Sequence, residues 1–352
     1  MTEKGKLRSF YLTAYTGRGF YSFADSALAG VEHLFVLRAK SGRAKTRVIE
    51  QVSQALVERG HDVELLRSPW GDGLLEGLIT PALNMAIVDG PVCRVGSPRG
   101  RGEVIDLDAF CDPQQLRSHQ AEVKDAEAGA SELVEQGSAL FVKSLELHNQ
   151  IETHYGRGLD FAKADEMAEE LVKDIFGSEP QVRDLFVAGL GIVEDQHTFY
   201  RDLIASCRRR YIIKGAPGTG KSVLVKKVAE AAAERGYRVD MIHCLFDPQS
   251  IDMVFIPELS VIIVDGTPPH VIEPQSPRDK VIDMLQCVEL QAVGEQAEEE
   301  ALWERLKNTK RRRRKCLLEA KKMRDTLEAY YADAMDWEEV KRVARTIVDK
   351  TA

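Results

Sequence analysis

Apolar and polar positions along this chain set out two kinds of segment. Short apolar runs at 34–37 and 211–213 read as buried strands. Each is followed by a glycine-containing loop and a segment of helical period, 46–59 and 222–235. Both segments end in Arg-Gly, with Gly60 and Gly236 as C-cap signals. A second strand is predicted at 62–66 and 238–243, then a loop, then a third strand that closes on an aspartate, 85–89 and 261–265. Strand–helix–strand order predicts parallel pairing, right-handed crossovers and helices over the sheet. Farther on, two highly charged stretches, roughly 113–155 and 289–331, keep apolar residues at helical spacing, as in Leu302 and Leu306 or Leu317, Leu318, Met323 and Leu327. Each is predicted to form a long helical hairpin, and the two are expected to pack together.

The chain is written twice. Shifted by half its length, 176 of 352 residues, it matches itself without a gap from Phe35 through Gly90. Phe35-Val-Leu-Arg lies over Tyr211-Ile-Ile-Lys, Lys45-Thr46 over Lys221-Ser222, Glu58-Arg-Gly over Glu234-Arg-Gly, and Ile87-Val-Asp-Gly over Ile263-Val-Asp-Gly. Near the ends Tyr155 meets Tyr331, and Asp160-Phe161 meets Asp336-Trp337. A repeat on this scale is a whole domain. It predicts a tandem duplication, 1–178 and 179–352, with its boundary in the breaker-rich Gly177-Ser-Glu-Pro180.

Composition narrows the class without naming a chemistry. The length suffices for two ordinary cores, and the net charge of −8 gives no reason to expect a nucleic-acid or membrane partner. Six cysteines lie far apart with no C-x-x-C pair, which favours free thiols over a disulfide frame or a zinc site. The first residues lack the apolar core of a signal peptide, and no apolar run approaches the ~20 residues of a bilayer span. A cytoplasmic protein is the expectation.

The second copy carries the chemistry. Gly215-Ala216-Pro217-Gly218-Thr219-Gly220-Lys221-Ser222 satisfies G-x-x-x-x-G-K-[ST] in full, between a predicted strand and a predicted helix. Glycines let successive backbone N–H groups turn inward around phosphates, and the positive end of the following helix points to the same place. Lys221 would reach the β- and γ-phosphates, and the Ser222 hydroxyl would bind Mg²⁺. The apolar run Val261-Ile-Ile-Val-Asp265 supplies the acid that reaches the same ion through a water. The fold class expected is therefore α/β: tandem duplicated P-loop NTPase domains, each a mainly parallel sheet flanked by helices with a charged helical hairpin.

The first copy departs where it matters. Its loop reads Ala39-Lys-Ser-Gly-Arg-Ala-Lys45-Thr46, with alanine at two motif glycines. A Cβ penalises positive φ by roughly 1–2 kcal/mol per residue, so the nest should be distorted or absent. Lys45, Thr46 and Asp89 keep the polar groups. The loop is thus either a structural pseudo-site, which is the expectation, or a weakened site that still holds an anion.

Further candidates surround the second loop. His243-Cys-Leu-Phe-Asp247 through Asp252 opens at the carboxyl end of a strand, where ligands of open α/β sheets gather. His243, Asp247 and Asp252 could contact a second substrate; alternatively Asp247-Pro248 is only a turn. A metal pair at His243 and Cys244 is not expected. His270 follows the acidic strand closely and is a candidate water-orienting or phosphate-sensing group. Arg278 could stabilise phosphate charge, although Arg99 occupies the same Ser-Pro-Arg context in the first copy. Gly266, not glutamate, follows Asp265, so hydrolysis should be slow. The basic run 310–315 lies among glutamates and is expected to be a solvated helix face.

Taken together, Tyr211-Ile-Ile-Lys-Gly-Ala-Pro-Gly-Thr-Gly-Lys-Ser, His243-Cys, Asp247-Pro with Ser250 and Asp252, Ile256-Pro-Glu-Leu and Val264-Asp-Gly-Thr-Pro-Pro-His resemble an uncharacterised family of bacterial, mostly Gram-positive, tandem-repeat P-loop ATPases. Gly19-Phe20 with Ser22-Phe23 resembles that family's entry to the first repeat. The resemblance implies two P-loop modules and ATP or another NTP as ligand, with no assigned reaction. The function expected is Mg-dependent NTP binding and slow hydrolysis by the C-terminal repeat. The alternatives are a small-molecule or nucleotide kinase, and a non-enzymatic nucleotide-gated protein with a small-molecule or protein partner.

Overall fold

A computed structural model describes residues 4–71, 73–94, 102–176, 181–186, 203–268, 271–289, 293 and 296–351. The first half contains β1 (Leu7–Phe10), β2 (Thr13–Thr16), β3 (Gly19–Ser22), α1 (Ala24–Ala27), β4 (His33–Arg38), α2 (Gly42–Glu58), β5 (Val63–Arg67), β6 (Leu75–Thr80), β7 (Met85–Asp89), β8 (Gly102–Asp106), α3 (Pro113–Ser118), α4 (Gln120–Gly156) and α5 (Phe161–Ile175). The second contains β9 (Gln181–Phe186), β10 (Arg209–Lys214), α6 (Lys221–Glu234), β11 (Arg238–His243), β12 (Ile251–Ile256), β13 (Val261–Asp265), β14 (Asp279–Asp283), α7 (Gln296–Asp333) and α8 (Trp337–Lys350). The protein is α/β, with mixed sheets flanked by helices.

Two compact units divide the chain differently from its sequence repeat. The first comprises Met1–Ala14, Ser22–Gly137 and Lys315–Ala352; the second comprises Tyr15–Tyr21 and Ser138–Arg314. The helices that close each repeat have changed places. In the first unit α8 packs on α2, and in the second α5 packs on α6. The sequence boundary at 177–180 lies outside the described residues.

The first unit's sheet has the order β1-β5-β6-β7-β4-β8 and the second unit's β9-β11-β12-β13-β10-β14. Register is matched as well, Phe35 pairing with Ile87 as Tyr211 pairs with Ile263. The predicted strands at 85–89, 238–243 and 261–265 form over those residues. The sheets are less parallel than expected, because β6 and β12 fall where loops were predicted and run antiparallel to both neighbours. Among the described residues the connections 68–74 and 244–250 hold no crossover helix, and the chain returns antiparallel. Glu76 and Gly77 interrupt the apolar run of β6 and hid it; Gly77 is needed because a Cβ there would sit 2.2 Å from the Ile87 carbonyl oxygen of β7.

The first core joins Val48, Ile49, Val52 and Leu56 of α2 to Val340, Ala344 and Ile347 of α8 over the sheet. The second joins Leu224, Val225 and Val228 of α6 to Ala168, Leu171 and Ile175 of α5. These apolar stripes at three- and four-residue spacing bury one face of each helix.

The charged stretches are not hairpins. The first is the short α3 followed by one long helix, α4 of 37 residues, and the second is dominated by α7 of 38. No proline interrupts either, and the α4 glycines serve packing rather than turning. A Cβ at Gly129 or Gly137 would lie 2.7 Å from Met323 or Leu317 of α7 in the first unit. In the second unit Leu147 and Ile151 pack with Leu302 and Leu306. The turns come later, where Asp160 and Asp336 cap α5 and α8 through backbone N–H groups.

Candidate functional site

Loop 215–222 links β10 to α6 in the second unit. Gly215, Gly218 and Gly220 have φ of 144°, 81° and 86°, a region that favours glycine. Gly218 is required twice over, since a Cβ there would lie 2.0 Å from the Glu152 carbonyl oxygen of α4. Thr219 is fully buried and its hydroxyl donates to the Ala216 carbonyl at 2.8 Å. Pro217 sits between the two glycines of that turn. The loop delivers Gly220 as N-cap to a 14-residue helix whose positive end faces it.

Pairing of β10 with β13 in register Ile213–Asp265 brings the acid beside this loop. Lys221 Nζ donates to the carbonyls of Gly215 (2.8 Å) and Ala216 (2.9 Å) and stands 3.7 Å from Asp265 Oδ2. Asp265 Oδ1 accepts from the backbone N–H (2.9 Å) and hydroxyl (2.5 Å) of Thr267, which fix its orientation. Burial raises the Asp265 pKa above the usual carboxylate value; Lys221 and Thr267 oppose that rise, and the Asp252 charge adds to it. Ser222 Oγ lies 2.5 Å from Ser250 Oγ.

The loop between β11 and β12 is knitted to itself. His243 Nδ1 is 2.6 Å from the Pro248 carbonyl oxygen, the Cys244 N–H donates to Ser250, and the Ser250 N–H to Asp247. The Asp247 carboxylate accepts from Arg18 at 2.6 and 2.9 Å and from the Gln249 N–H at 3.0 Å, a turn device with an ion pair added. The Arg18 bond holds its pKa below the usual range. Asp252 is the second residue of β12, one place before Met253, which pairs with Val264, so it faces the acid of β13, and its charge raises the pKa values of both Asp265 and Cys244. His270 lies outside the described residues. Arg278 is exposed and precedes Asp279, which pairs with Arg210 at the amino end of β10; it is therefore at the opposite end of that strand from the loop.

The first unit's counterpart has a different architecture. None of its loop residues has positive φ, and Ser41 acts as an ordinary N-cap, φ −72°, accepting from the Ala44 N–H at 3.1 Å. Alanine at 39 and 44 thus converts a nest into a helix start. That start is filled by a side chain of α7. The Glu328 carboxylate accepts from the backbone N–H groups of Gly42 and Arg43 and from the Ser41 hydroxyl at 2.9 Å. Lys45 Nζ is paired with Asp89 at 2.6 Å, and Thr46 Oγ1 accepts from the Leu75 N–H at 2.9 Å. Glu328 corresponds in the repeat to Glu152 (328 − 176 = 152), whose carbonyl abuts Gly218. Glu328→Gln is expected to lower stability by about 1–3 kcal/mol, since it removes the charge from hydrogen bonds at a helix N-terminus. Urea unfolding measures this, and an unchanged midpoint would mean that the carboxylate contributes nothing there.

The basic run 310–315 is not uniformly solvated. Arg311, Arg312, Arg314 and Lys315 are exposed as expected, whereas Arg313 is only 6% exposed and Lys310 is half-buried. Helical spacing turns these two away from the others, a signal masked by the monotony of the run. No helix among the described residues is long and apolar enough to cross a membrane. No family model matches the chain, and neither the curated proteins nor the solved structures searched include a match to it.

Proposed function

We propose that this protein binds a magnesium nucleoside triphosphate, ATP foremost, on loop 215–222 and hydrolyses it slowly, while the corresponding loop of the first repeat is a pseudo-site. The two units are then a tandem pair of P-loop modules, one working and one structural. The observation that carries this is the convergence of Lys221, Ser222 and Asp265 on one strand-to-helix loop whose three glycines all take positive φ. The donor set fits the ligand. Lys221 and the N–H groups at the start of α6 suit phosphate oxygens, while the Ser222 hydroxyl and Asp265 would hold Mg²⁺. Among the described residues there is no group of three or more His, Cys, Asp or Glu that could hold a metal. Mg²⁺ held mainly by phosphate oxygens and water needs none.

On binding, Lys221 exchanges two carbonyl acceptors for phosphate oxygens, and Thr267 keeps Asp265 aimed at the ion. The bound Mg²⁺ would neutralise charge on the transferring phosphate. Slow turnover is supported by Gly266 in the place after Asp265, and by Asp252 as the remaining acid facing it. The pseudo-site is supported by Glu328 and Asp89, which already take up the first loop's N–H groups and its lysine. Calorimetry with Mg-ATP on the intact chain should find one site, with phosphate released at well below one turnover per second. Two sites in wild type, or loss of a binding event in Lys45→Ala, would overturn the one-site assignment. Phosphoryl transfer to a small acceptor is a second possibility, favoured by the contact of Ser250 with Ser222.

A further inference from the structure

Two cations of α7 lie over loop 244–250 in the second unit without an acid to balance them. The Arg313 guanidinium carbon stands 3.8 Å from the Phe141 ring centroid and 5.5 Å from that of Phe246, and Lys310 Nζ is 4.4 Å from the Phe246 ring. Ring faces attract cations, but they do not satisfy N–H donors. Arg313 Nε and Nη1 are buried with no hydrogen-bond partner. No hydrogen bond or ion pair joins either side chain to a carboxylate among the described residues; Asp247, which follows Phe246, is taken by Arg18. Burial pulls the pKa of Lys310 down to about 8, with Arg313 adding to the fall, and burial pulls that of Arg313 down to about 10. Two adjacent positive charges held from water are expensive unless an anion joins them.

Their position says which anion. The segment that carries Phe246 beneath the cations also carries Ser250, in contact with Ser222 of the glycine-rich loop. We propose that Lys310 and Arg313 form an oxyanion subsite on this segment, and that its ligand is the phosphate group of a small second substrate held alongside the nucleotide. A phosphate dianion balances both charges at once and offers enough oxygens for the unmet guanidinium N–H groups. A single carboxylate would leave one charge over. The nucleotide-neighbour part of this assignment rests on the function proposed above; the anion subsite itself does not.

Inorganic phosphate, titrated calorimetrically into the full chain carrying Lys221→Ala, isolates this subsite from the glycine-rich loop. One site is expected, weakened at least tenfold by adding Arg313→Met and less by Arg313→Lys. Without phosphate, Arg313→Met should melt above the unsubstituted chain, because an unpaired buried charge is gone, and phosphate should no longer raise its melting temperature. Phosphate binding absent from Lys221→Ala, or unaffected by Arg313→Met, would overturn the assignment. A lower melting temperature with unchanged phosphate binding would mark Arg313 as a mere spacer between the two rings. Should Arg313→Met fail to fold, Lys310→Met decides by the same titration. A Mg-ATP titration of the unsubstituted chain separates the two claims: no nucleotide binding removes the proposed function and leaves the phosphate result standing.

Discussion

Lys221→Ala is expected to remove Mg-ATP binding from the intact chain while leaving its folding transition almost unchanged. The ammonium stands at the mouth of loop 215–222, and its contacts include both the loop carbonyls and Asp265. Charge-assisted hydrogen bonds contribute about 1.5–3 kcal/mol each. Losing two to phosphate oxygens amounts to about 3–6 kcal/mol, or roughly 10²- to 10⁴-fold in affinity. The cost to stability is small because the Gly215 and Ala216 carbonyls that lose their donor are half-buried rather than sealed from water. Lys45→Ala should do the reverse. It strips the partner from Asp89, whose Oδ1 is already buried without a hydrogen bond, and so lowers stability while Mg-ATP affinity holds. Calorimetry and urea unfolding on the two variants read both quantities. Equal loss of nucleotide by both would show two working loops.

Stability is expected to fall as pH rises from about 5 to 8, through Glu76. This carboxyl is buried in β6, and its pKa is pushed from 4.5 up to about 8, chiefly by burial. The hydroxyl of Thr13, bonded to it at 2.5 Å, together with Lys45 and Arg324, opposes that rise, and the charge of Asp89 adds to it. The folded protein therefore keeps a proton on Glu76 that the unfolded chain releases above its ordinary value. Stability linked to that proton is full below pH 4.5 and lost as pH climbs to about 8, at about 1.4 kcal/mol per pH unit and on the order of 5 kcal/mol in all. Glu76→Gln keeps an acceptor for Thr13 and removes the titration. Unfolding midpoints across pH 5 to 9 should flatten in that variant and lie above the unsubstituted chain at the alkaline end. A slope unchanged by Glu76→Gln would assign it to other groups.

Local signals were reliable where the physics is local. Gly60 and Gly236 end their helices with φ of 91° and 87°, because only the residue after a C-cap needs a left-handed backbone. The apolar runs ending in Asp89 and Asp265 are strands because a central strand is buried on both faces. The alanines at 39 and 44 foretold a changed first loop for the same reason: a Cβ is incompatible with the nest. What was missed was non-local. Strands β6 and β12 depend on neighbours far along the chain to accept their ladder bonds. The Arg18–Asp247 pair spans a sequence separation of 229 residues, and nothing near either residue announces it. Helical period predicts a hairpin and a single long helix alike, because it fixes a helix without fixing where it turns.

The sequence alone therefore gave away the self-similarity of the two halves, the central strand–helix–strand order in each, and the residue types of the candidate phosphate loop. Those follow from periodicity, backbone sterics and spacing, which act within a few residues. Only the tertiary structure decided which helix covers which sheet, that a glutamate of α7 fills the altered first loop, and that one cation of a basic run is buried between two rings. Each depends on a packing partner distant in sequence, and burial, which sets the cost of a charge, belongs to the folded chain rather than to any stretch of it.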